Sequence, residues 1–283
     1  MIAHTRPATL ADWVDQYDLS HDLCEDTVAN YRRAIRRLEK WIGYHLTTET
    51  LTDAAVNTGL QRLLKAGRSP HYARSLKTSV LALWRDWADA GHVEYPRRIR
   101  PIRSGPIDVR VWTPEEVGQI LAAARRIPGE FRNLRLNRAA YFSTMILACW
   151  DTALRRRDLH RLRRNEVGPD WVDQQNKTRK PIRARLRPGT LAAIDAWARG
   201  PEALLWPLWG SDEAFRATWN RIVRDSGVAE PGPWKKLRKS AGTAAEAVQP
   251  GAGHILLGNT RKVFERHYLA AGVVAGPQPP ELG

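Results

Sequence analysis

A proline- and arginine-rich stretch, residues 95–112 (YPRRIRPIRSGPIDVRVW), divides the chain into two unequal parts. It contains three prolines, one glycine and five arginines. Because proline lacks an amide donor and restrains the residue before it, a regular helix cannot run through this segment. We therefore predict an extended basic linker between one domain over residues 1–94 and a second over 113–271, followed by a flexible tail over 272–283.

The part before the linker has the periodicity of helices throughout. Four segments, 9–19, 25–44, 51–67 and 69–91, carry apolar residues at three- and four-residue spacing, which predicts a small helical bundle. In the second segment the apolar stripe consists of Val28, Tyr31, Ile35, Leu38 and Ile42. Four arginines lie off this stripe and are expected on the exposed face: Arg32, Arg33, Arg36 and Arg37.

The second domain begins with a clear helix start. Thr113, Pro114 and Glu116 have the order of an N-cap, a first-turn proline and a capping-box acid. Helical patterns follow over 114–127, 137–150 and 151–167, and short strands are predicted on either side of a polar turn at 176–180. Helical patterns return over 189–200, 211–227, 235–248 and 259–271, so the fold class is mainly α with a small β-sheet.

The charge of the chain indicates a polyanionic partner. Its 283 residues carry a formal net charge of +15, which favours phosphate contacts through counterion release. Nucleic acid is the preferred prediction, and an anionic membrane surface is the second. A run of about 18 apolar residues and the apolar region of a signal peptide are both missing, so a cytoplasmic location is expected. Cys24 and Cys149 have no metal-ligand spacing and are predicted to be buried, reduced packing residues.

Two segments of the second domain resemble the first conserved regions of the tyrosine recombinase (phage integrase) family. DTALRRRDLHRLRRNEV is similar to the family box T-G-L-R-x-x-E, which places the first catalytic arginine at Arg155 and a supporting acid at Asp158, with Ala153 where the family has glycine. QNKTRKPIRARL resembles the β-hairpin that carries the catalytic lysine. This implies that role for Lys177, and Lys180 is the competing candidate in the same turn.

Two later segments resemble the remaining boxes of the family. WKKLRKSAGTAAE is similar to H-x-L-R-[HK]-[ST], which places the second catalytic arginine at Arg238 and puts Lys235 where recombinases usually have histidine. LLGNTRKVFERHYL resembles L-G-H-(x)8-Y. Here Tyr268 falls on the nucleophile, and Asn259, nine residues earlier, replaces the histidine.

The resemblance implies a helical (SAM-like) core-binding domain followed by a catalytic domain of the DNA breaking-rejoining fold. It implies integration or recombination of double-stranded DNA through a 3′-phosphotyrosine, without a metal or other cofactor. The two arginines would bind the phosphate oxygens and Lys177 would protonate the leaving 5′ oxygen. A homotetramer on two DNA sites is implied, with a monomer or weak oligomer when free, and no arm-binding domain is expected before Thr9. Eight arginines are candidate DNA contacts: Arg32, Arg33, Arg36, Arg37, Arg97, Arg98, Arg100 and Arg103.

The two departures leave alternatives open. Asparagine at 259 can donate a hydrogen bond but does not carry the charge of imidazolium, so a catalytically degenerate DNA-binding relative is one alternative. The type IB topoisomerases, a sister group, have lysine at the position of Lys235, so an enzyme of that type is another. His267 and His254 are weaker candidates for replacing the missing histidine.

Overall fold

The computed structural model forms two compact units, residues 1–105 and 106–283, with the boundary inside the predicted linker. The structure describes residues 8–103, 105, 109–131, 134–169, 171–175, 181–196 and 200–269.

The described part of the first unit contains four helices. Their bounds are α1 Leu10–His21, α2 Glu25–Ile42, α3 Asp53–Lys65 and α4 Pro70–Asp89. The side chains of Thr9, Thr52 and Ser69 cap α1, α3 and α4 by accepting hydrogen bonds from first-turn amides. The predicted stripe of α2 is buried except for a half-buried Tyr31, and the four arginines of α2 are exposed. The helical bundle predicted for this part of the chain is therefore confirmed.

Residues 95–103, the first part of the arginine-rich segment, contain no helix or strand, and their backbone is hydrogen-bonded to side chains of α3 and α4. The Asp53 carboxylate accepts hydrogen bonds from the amides of Arg97 and Arg98. Asn57 donates from Nδ2 to the carbonyl of Arg98 and accepts at Oδ1 from the amide of Arg100, both at 2.9 Å. Lys77 donates to the carbonyl of Arg100 at 2.8 Å. Because these contacts use backbone atoms, the side chains of the segment's four candidate arginines remain exposed.

The second unit contains eight helices and two short antiparallel strand pairs among the residues described. The helices are α5 Pro114–Arg125, α6 Arg138–Thr152, α7 Arg156–Arg161, α8 Pro188–Asp195, α9 Asp212–Asp225, α10 Trp234–Val248, α11 Ala252–Leu256 and α12 Arg261–His267. The strands are β1 Glu130–Phe131, β2 Leu136–Asn137, β3 Trp171–Gln175 and β4 Pro181–Arg185, with β1 paired to β2 and β3 to β4. The predicted mainly α fold with a small β-sheet is confirmed.

The capped start of α5 and a core of buried aromatic side chains both stabilise the second unit. Thr113 and Glu116 form the expected capping box, and Pro114 is the first residue of α5. Large aromatic side chains with almost no exposed surface fill the interior: Trp112, Tyr141, Phe142, Trp206, Phe215 and Trp219. Burial of such rings is the main favourable contribution to folding.

Three expectations are corrected. The segment 151–167 is not one helix, because the backbone turns left-handed at Ala153 (φ 47°) and α7 restarts after Arg155. The helix α11, which the pattern did not predict, lies between α10 and α12. Cys24 is exposed rather than buried, because it occupies the N-cap of α2, whereas Cys149 is buried as predicted.

Within the described residues, no helix has the length and apolar character needed to cross a membrane.

Candidate active site

Arg155 lies where α6 and α7 meet. Its backbone amide donates to the carboxylate of Asp158 at 3.3 Å, and its guanidinium lies 3.7 Å from the same carboxylate. Asp158 is buried, whereas the Arg155 side chain is 43% exposed. The buried acid therefore fixes the start of α7 and leaves much of the guanidinium open to a ligand; the supporting role of Asp158 stays a prediction.

Arg238, on α10, is a buried cation with a 3% exposed surface. One terminal nitrogen donates to the carbonyl of Ala153 and the other to the carbonyl of Leu257 at 2.7 Å, while Nε is buried without a partner. Burial, followed by the nearby charge of Arg155, lowers the pKa of the guanidinium. Arg238 therefore ties together the loop before Arg155 and the loop before Asn259.

Tyr268 ends α12 and lies beside Arg238. Its amide donates to the carbonyl of Phe264 at 2.9 Å, its own carbonyl accepts from the Thr243 hydroxyl at 2.8 Å, and the Arg238 guanidinium carbon lies 5.9 Å from its ring centroid. Burial raises the pKa of the phenol, but the charges of Arg238 and Lys235 and side-chain contacts with Arg238 and Asn259 outweigh it. The net pKa of Tyr268 is therefore lowered from 10.0.

Asn259 lies in the loop between α11 and α12. Its amide donates to the carbonyl of His254 at 3.0 Å, and its Nδ2 is buried without a hydrogen-bond partner. The side chain is near enough to Tyr268 to contribute to the lowered pKa of the phenol, although no hydrogen bond of ordinary length joins the two groups. A buried amide donor without a partner costs free energy, and Asn259 is not among the described residues that line the cleft beside Tyr268.

A cleft of about 960 Å³ brings four of the predicted site residues together: Arg155, Lys235, Arg238 and Tyr268. The same cleft is lined by three further arginines, Arg156, Arg157 and Arg216, and by the carboxylate of Asp212. The excess of cations over anions among these lining residues favours a phosphate group, since a guanidinium presents planar pairs of donors to anionic oxygens.

Arg156 and Asp212 belong to the cleft but were not predicted from the sequence. The Arg156 guanidinium donates to Asp212 at 2.6 Å and lies 4.6 Å from the ring centroid of Phe215. These contacts join α7 to α9 and help to fix the helix that begins after Arg155. The pair is separated by 56 positions in a chain with many arginines, so the sequence has no signal for it.

The remaining candidates fall outside this cleft or outside the described residues. Lys177 and its competitor Lys180 come between β3 and β4 in the sequence and fall outside the described residues, as does the predicted tail. His267 precedes the tyrosine and His254 lies on α11, and both are partly buried; neither is among the described side chains that line the cleft.

The exposed arginines of α2 make local contacts in the first unit. Arg32 pairs with Asp15, Arg33 donates to Asn30 at 2.6 Å, and Arg37 lies 5.5 Å from the ring centroid of Tyr72. Surface pairs of this kind are weak and exchange readily for phosphate contacts.

Comparison with solved structures identifies the fold. A crystal structure of a lambda integrase fragment, a dimer bound to a COC′ core site, is 17% identical with a TM-score of 0.71 and matches over 97% of this chain and 99% of that chain. A lambda integrase tetramer bound to a Holliday junction is 17% identical with a TM-score of 0.70, over 98% of this chain and 81% of that chain. The Tn1549 transposon integrase in complex with circular intermediate DNA is 12% identical with a TM-score of 0.66, over 94% and 97%.

The sequence itself matches no protein-family model and no curated protein. Lambda integrase and the Tn1549 integrase are tyrosine recombinases, and the similarity covers most of the chain. The chain therefore has the fold of the tyrosine recombinases, as its four boxes predicted.

Proposed function

We propose that this protein is a tyrosine recombinase that cuts and rejoins double-stranded DNA with Tyr268 as its nucleophile. The observation that carries the proposal is the position of the phenol: Tyr268 shares one cationic cleft with Arg155, Lys235 and Arg238, and its pKa is lowered there. A tyrosine with an ordinary pKa is a poor nucleophile at neutral pH, so a strongly positive site is what the reaction requires.

The arginines are suited to hold the scissile phosphate. Arginine has five N–H donors, and Arg238 uses two of them on backbone carbonyls, so its fork keeps donor capacity for a non-bridging oxygen beside Tyr268. Its carbonyl contacts also fix the guanidinium in advance, which removes the cost of ordering it when charge develops on the phosphate. Arg155, being half-exposed, approaches the phosphate from the open side of the cleft. Together the two side chains neutralise the transition state without a metal.

The proposed step exchanges one phosphodiester for another. The Tyr268 hydroxyl releases its proton to solvent and its oxygen attacks phosphorus; the bond from phosphorus to the tyrosine oxygen forms, and the bond to the 5′ oxygen of the next nucleotide breaks. The leaving oxygen takes a proton from a general acid, a role that we assign to Lys177, and the phosphotyrosine keeps the bond energy for rejoining. Attack by a 5′-hydroxyl of a partner duplex then completes recombination, so no nucleotide is consumed.

DNA binding and assembly are proposed from the same resemblance. The similar structures hold core-site DNA, a Holliday junction and circular intermediate DNA, and one of them is a tetramer. The exposed arginines of α2 and of residues 97–103 suit a duplex backbone, because phosphate contacts dominate affinity for DNA. We propose a homotetramer on two DNA sites during the reaction.

Covalent trapping tests the proposed function. Duplexes that bind the protein are first selected from a random pool, and are then given a nick beside each position in turn, so that a short 5′-hydroxyl fragment diffuses away after cleavage. The expected result is a protein–DNA adduct that survives denaturing electrophoresis, forms with Tyr44→Phe and is lost in Tyr268→Phe. Tyr44 is a matched control because it is exposed at the end of α2.

One alternative is a DNA-binding relative that no longer cuts. It is favoured by Asn259, which replaces a titratable histidine and has a buried Nδ2 without a partner. Tight binding of the selected duplexes with no adduct at any nick position would establish this alternative in place of the enzyme. Relaxation of supercoiled plasmid at sub-stoichiometric protein, without a preferred site, would instead indicate a type IB topoisomerase, for which Lys235 is the suggestive residue.

A further inference from the structure

A second lysine of α10, Lys236, is buried next to the cleft but does not line it. It is 6% exposed, and a buried ammonium group is costly unless it is paired and hydrogen-bonded. Its Nζ donates to the backbone carbonyl of Glu230 at 3.0 Å and lies 3.7 Å from the carboxylate of the same residue. Nζ also lies 4.8 Å from the ring centroid of Trp112, within cation–π range.

The segment that Lys236 contacts, residues 230–233, comes immediately before α10. The Glu230 carbonyl accepts a second hydrogen bond from Trp112 Nε1 at 2.8 Å, and the Glu230 carboxylate pairs with Arg110 at 3.1 Å. A side chain at Gly232 would place its Cβ 2.7 Å from the Lys236 Cδ atom, so the glycine leaves the space that the lysine stem occupies. The alkyl stem of Lys236 therefore packs where any side chain at position 232 would lie.

Three residues of this segment contribute to the lining of the cleft. Pro231, Gly232 and Pro233 line the cleft beside Lys235, and Pro233 is the N-cap of α10. Consecutive helical residues point about 100° apart. Lys236 can therefore contact residues 230–233 while Lys235, one residue earlier, lines the cleft. An exposed lysine has many rotamers, so the position of the backbone that carries it decides which of them reach the cleft.

We propose that Lys236 is a positioning residue that holds residues 230–233 and thereby places Lys235 in the cleft for strand cleavage. The inference rests on the proposed function, since it concerns the same site. Lys236 does not touch the phosphate; it acts through its neighbour.

The test is a double-mutant cycle on covalent-adduct formation. Lys236→Met keeps the alkyl stem over Trp112 and beside Gly232 but removes the ammonium, and Trp112 still satisfies the Glu230 carbonyl. At saturating DNA the rate constant should fall at least about tenfold, as for a lost positioning contact. The DNA concentration for half-maximal rate should change less than about twofold, as expected when uniform binding is kept. Lys236→Arg should recover part of the rate, and Lys65→Met, an exposed lysine on α3, should behave as the parent protein.

The cycle separates action through Lys235 from an independent effect. In a Lys235→Ala background, Lys236→Met should change the rate less than about twofold, because the residue it positions is already absent. An equal loss in both backgrounds, or no loss from Lys236→Met alone, would overturn the inference.

A spectroscopic readout keeps the test independent of cleavage. Lys235 contributes to the lowered pKa of Tyr268, so Lys236→Met should raise that pKa, read as phenolate absorbance after subtracting the titration of Tyr268→Phe. If the parent protein forms no adduct, the proposed function is refuted. The titration still decides whether Lys236 positions Lys235, because it does not depend on cleavage. An unchanged titration in Lys236→Met, with a folded protein by circular dichroism, would refute the inference.

Discussion

Among the described glycines, Gly253 has the least room for a side chain, and the residue that limits this room lies on α12, the helix that precedes Tyr268. A Cβ built on Gly253 would lie 2.4 Å from Cζ of Phe264 and 2.6 Å from the backbone oxygen of Gly242. Phe264 is 1% exposed and packs with Leu257, so neither atom can move aside easily. Gly253→Ala therefore forces α11 away from α10, and α12 must follow.

The expected cost follows from these contacts. Overpacking of a core by one carbon costs about 1–3 kcal/mol, and the upper end applies when backbone is one of the groups met. The gain in helix propensity from glycine to alanine is at most about 1 kcal/mol. We therefore expect Gly253→Ala to reduce the free energy of unfolding by about 2 kcal/mol.

Gly118→Ala is the matched control for this prediction. Gly118 is exposed within α5, and a Cβ added there would meet nothing within 4 Å, so the same substitution should stabilise. A gain of about 0.5–1 kcal/mol is expected from the reduced backbone entropy of the unfolded chain. Both sites belong to the second unit, so urea unfolding by near-ultraviolet circular dichroism compares them directly. Equal stability of the two variants would refute the proposed close packing of α10 and α11.

Three further outcomes follow from the site and the basic face. Because the pKa of Tyr268 is lowered from 10.0, the rate of adduct formation should rise with pH and level off below pH 10, and Lys235→Ala should move the midpoint upward; a pH-independent rate would contradict this. Arg238→Lys should slow adduct formation about 100-fold or more. The same substitution should lower the free energy of unfolding by about 1–3 kcal/mol, measured with urea, because a buried carbonyl loses its partner. An unchanged rate and an unchanged stability would exclude the catalytic and the structural role of Arg238. Arg36→Gln should reduce the slope of log binding constant against log salt by about 1, and an unchanged slope would remove Arg36 from the DNA contacts.

The parts of the fold that the sequence predicted are those with local signals. The capping box at Thr113 and the apolar stripe of α2 each depend on neighbours within one or two helical turns, and the structure contains both. The break after α4 has a local signal too, and the described residues 95–103 contain no helix or strand. The offset from Asn259 to Tyr268 is also short, and Asn259 is near enough to Tyr268 to affect the pKa of its phenol.

The parts that could not be predicted depend on contacts between distant segments. The burial of Lys236 is decided by Trp112 and Glu230, and a lysine in an amphipathic helix gives no sign of such partners. The close approach of Gly253 to Gly242 could not be predicted from the sequence either, because a single glycine is compatible with many local structures. Cys24 was expected to be buried because cysteine usually is, but its place at a helix start overrides that tendency.

The most direct test of the central claim is the identity of the bond between protein and DNA. A nicked duplex trapped on the protein should yield, after digestion and mass spectrometry, one peptide carrying a nucleotide on the Tyr268 oxygen through its 3′ phosphate, with a free 5′-hydroxyl on the released strand. Attachment to any other residue, attachment through a 5′ phosphate, or persistence of the adduct in Tyr268→Phe would contradict the account.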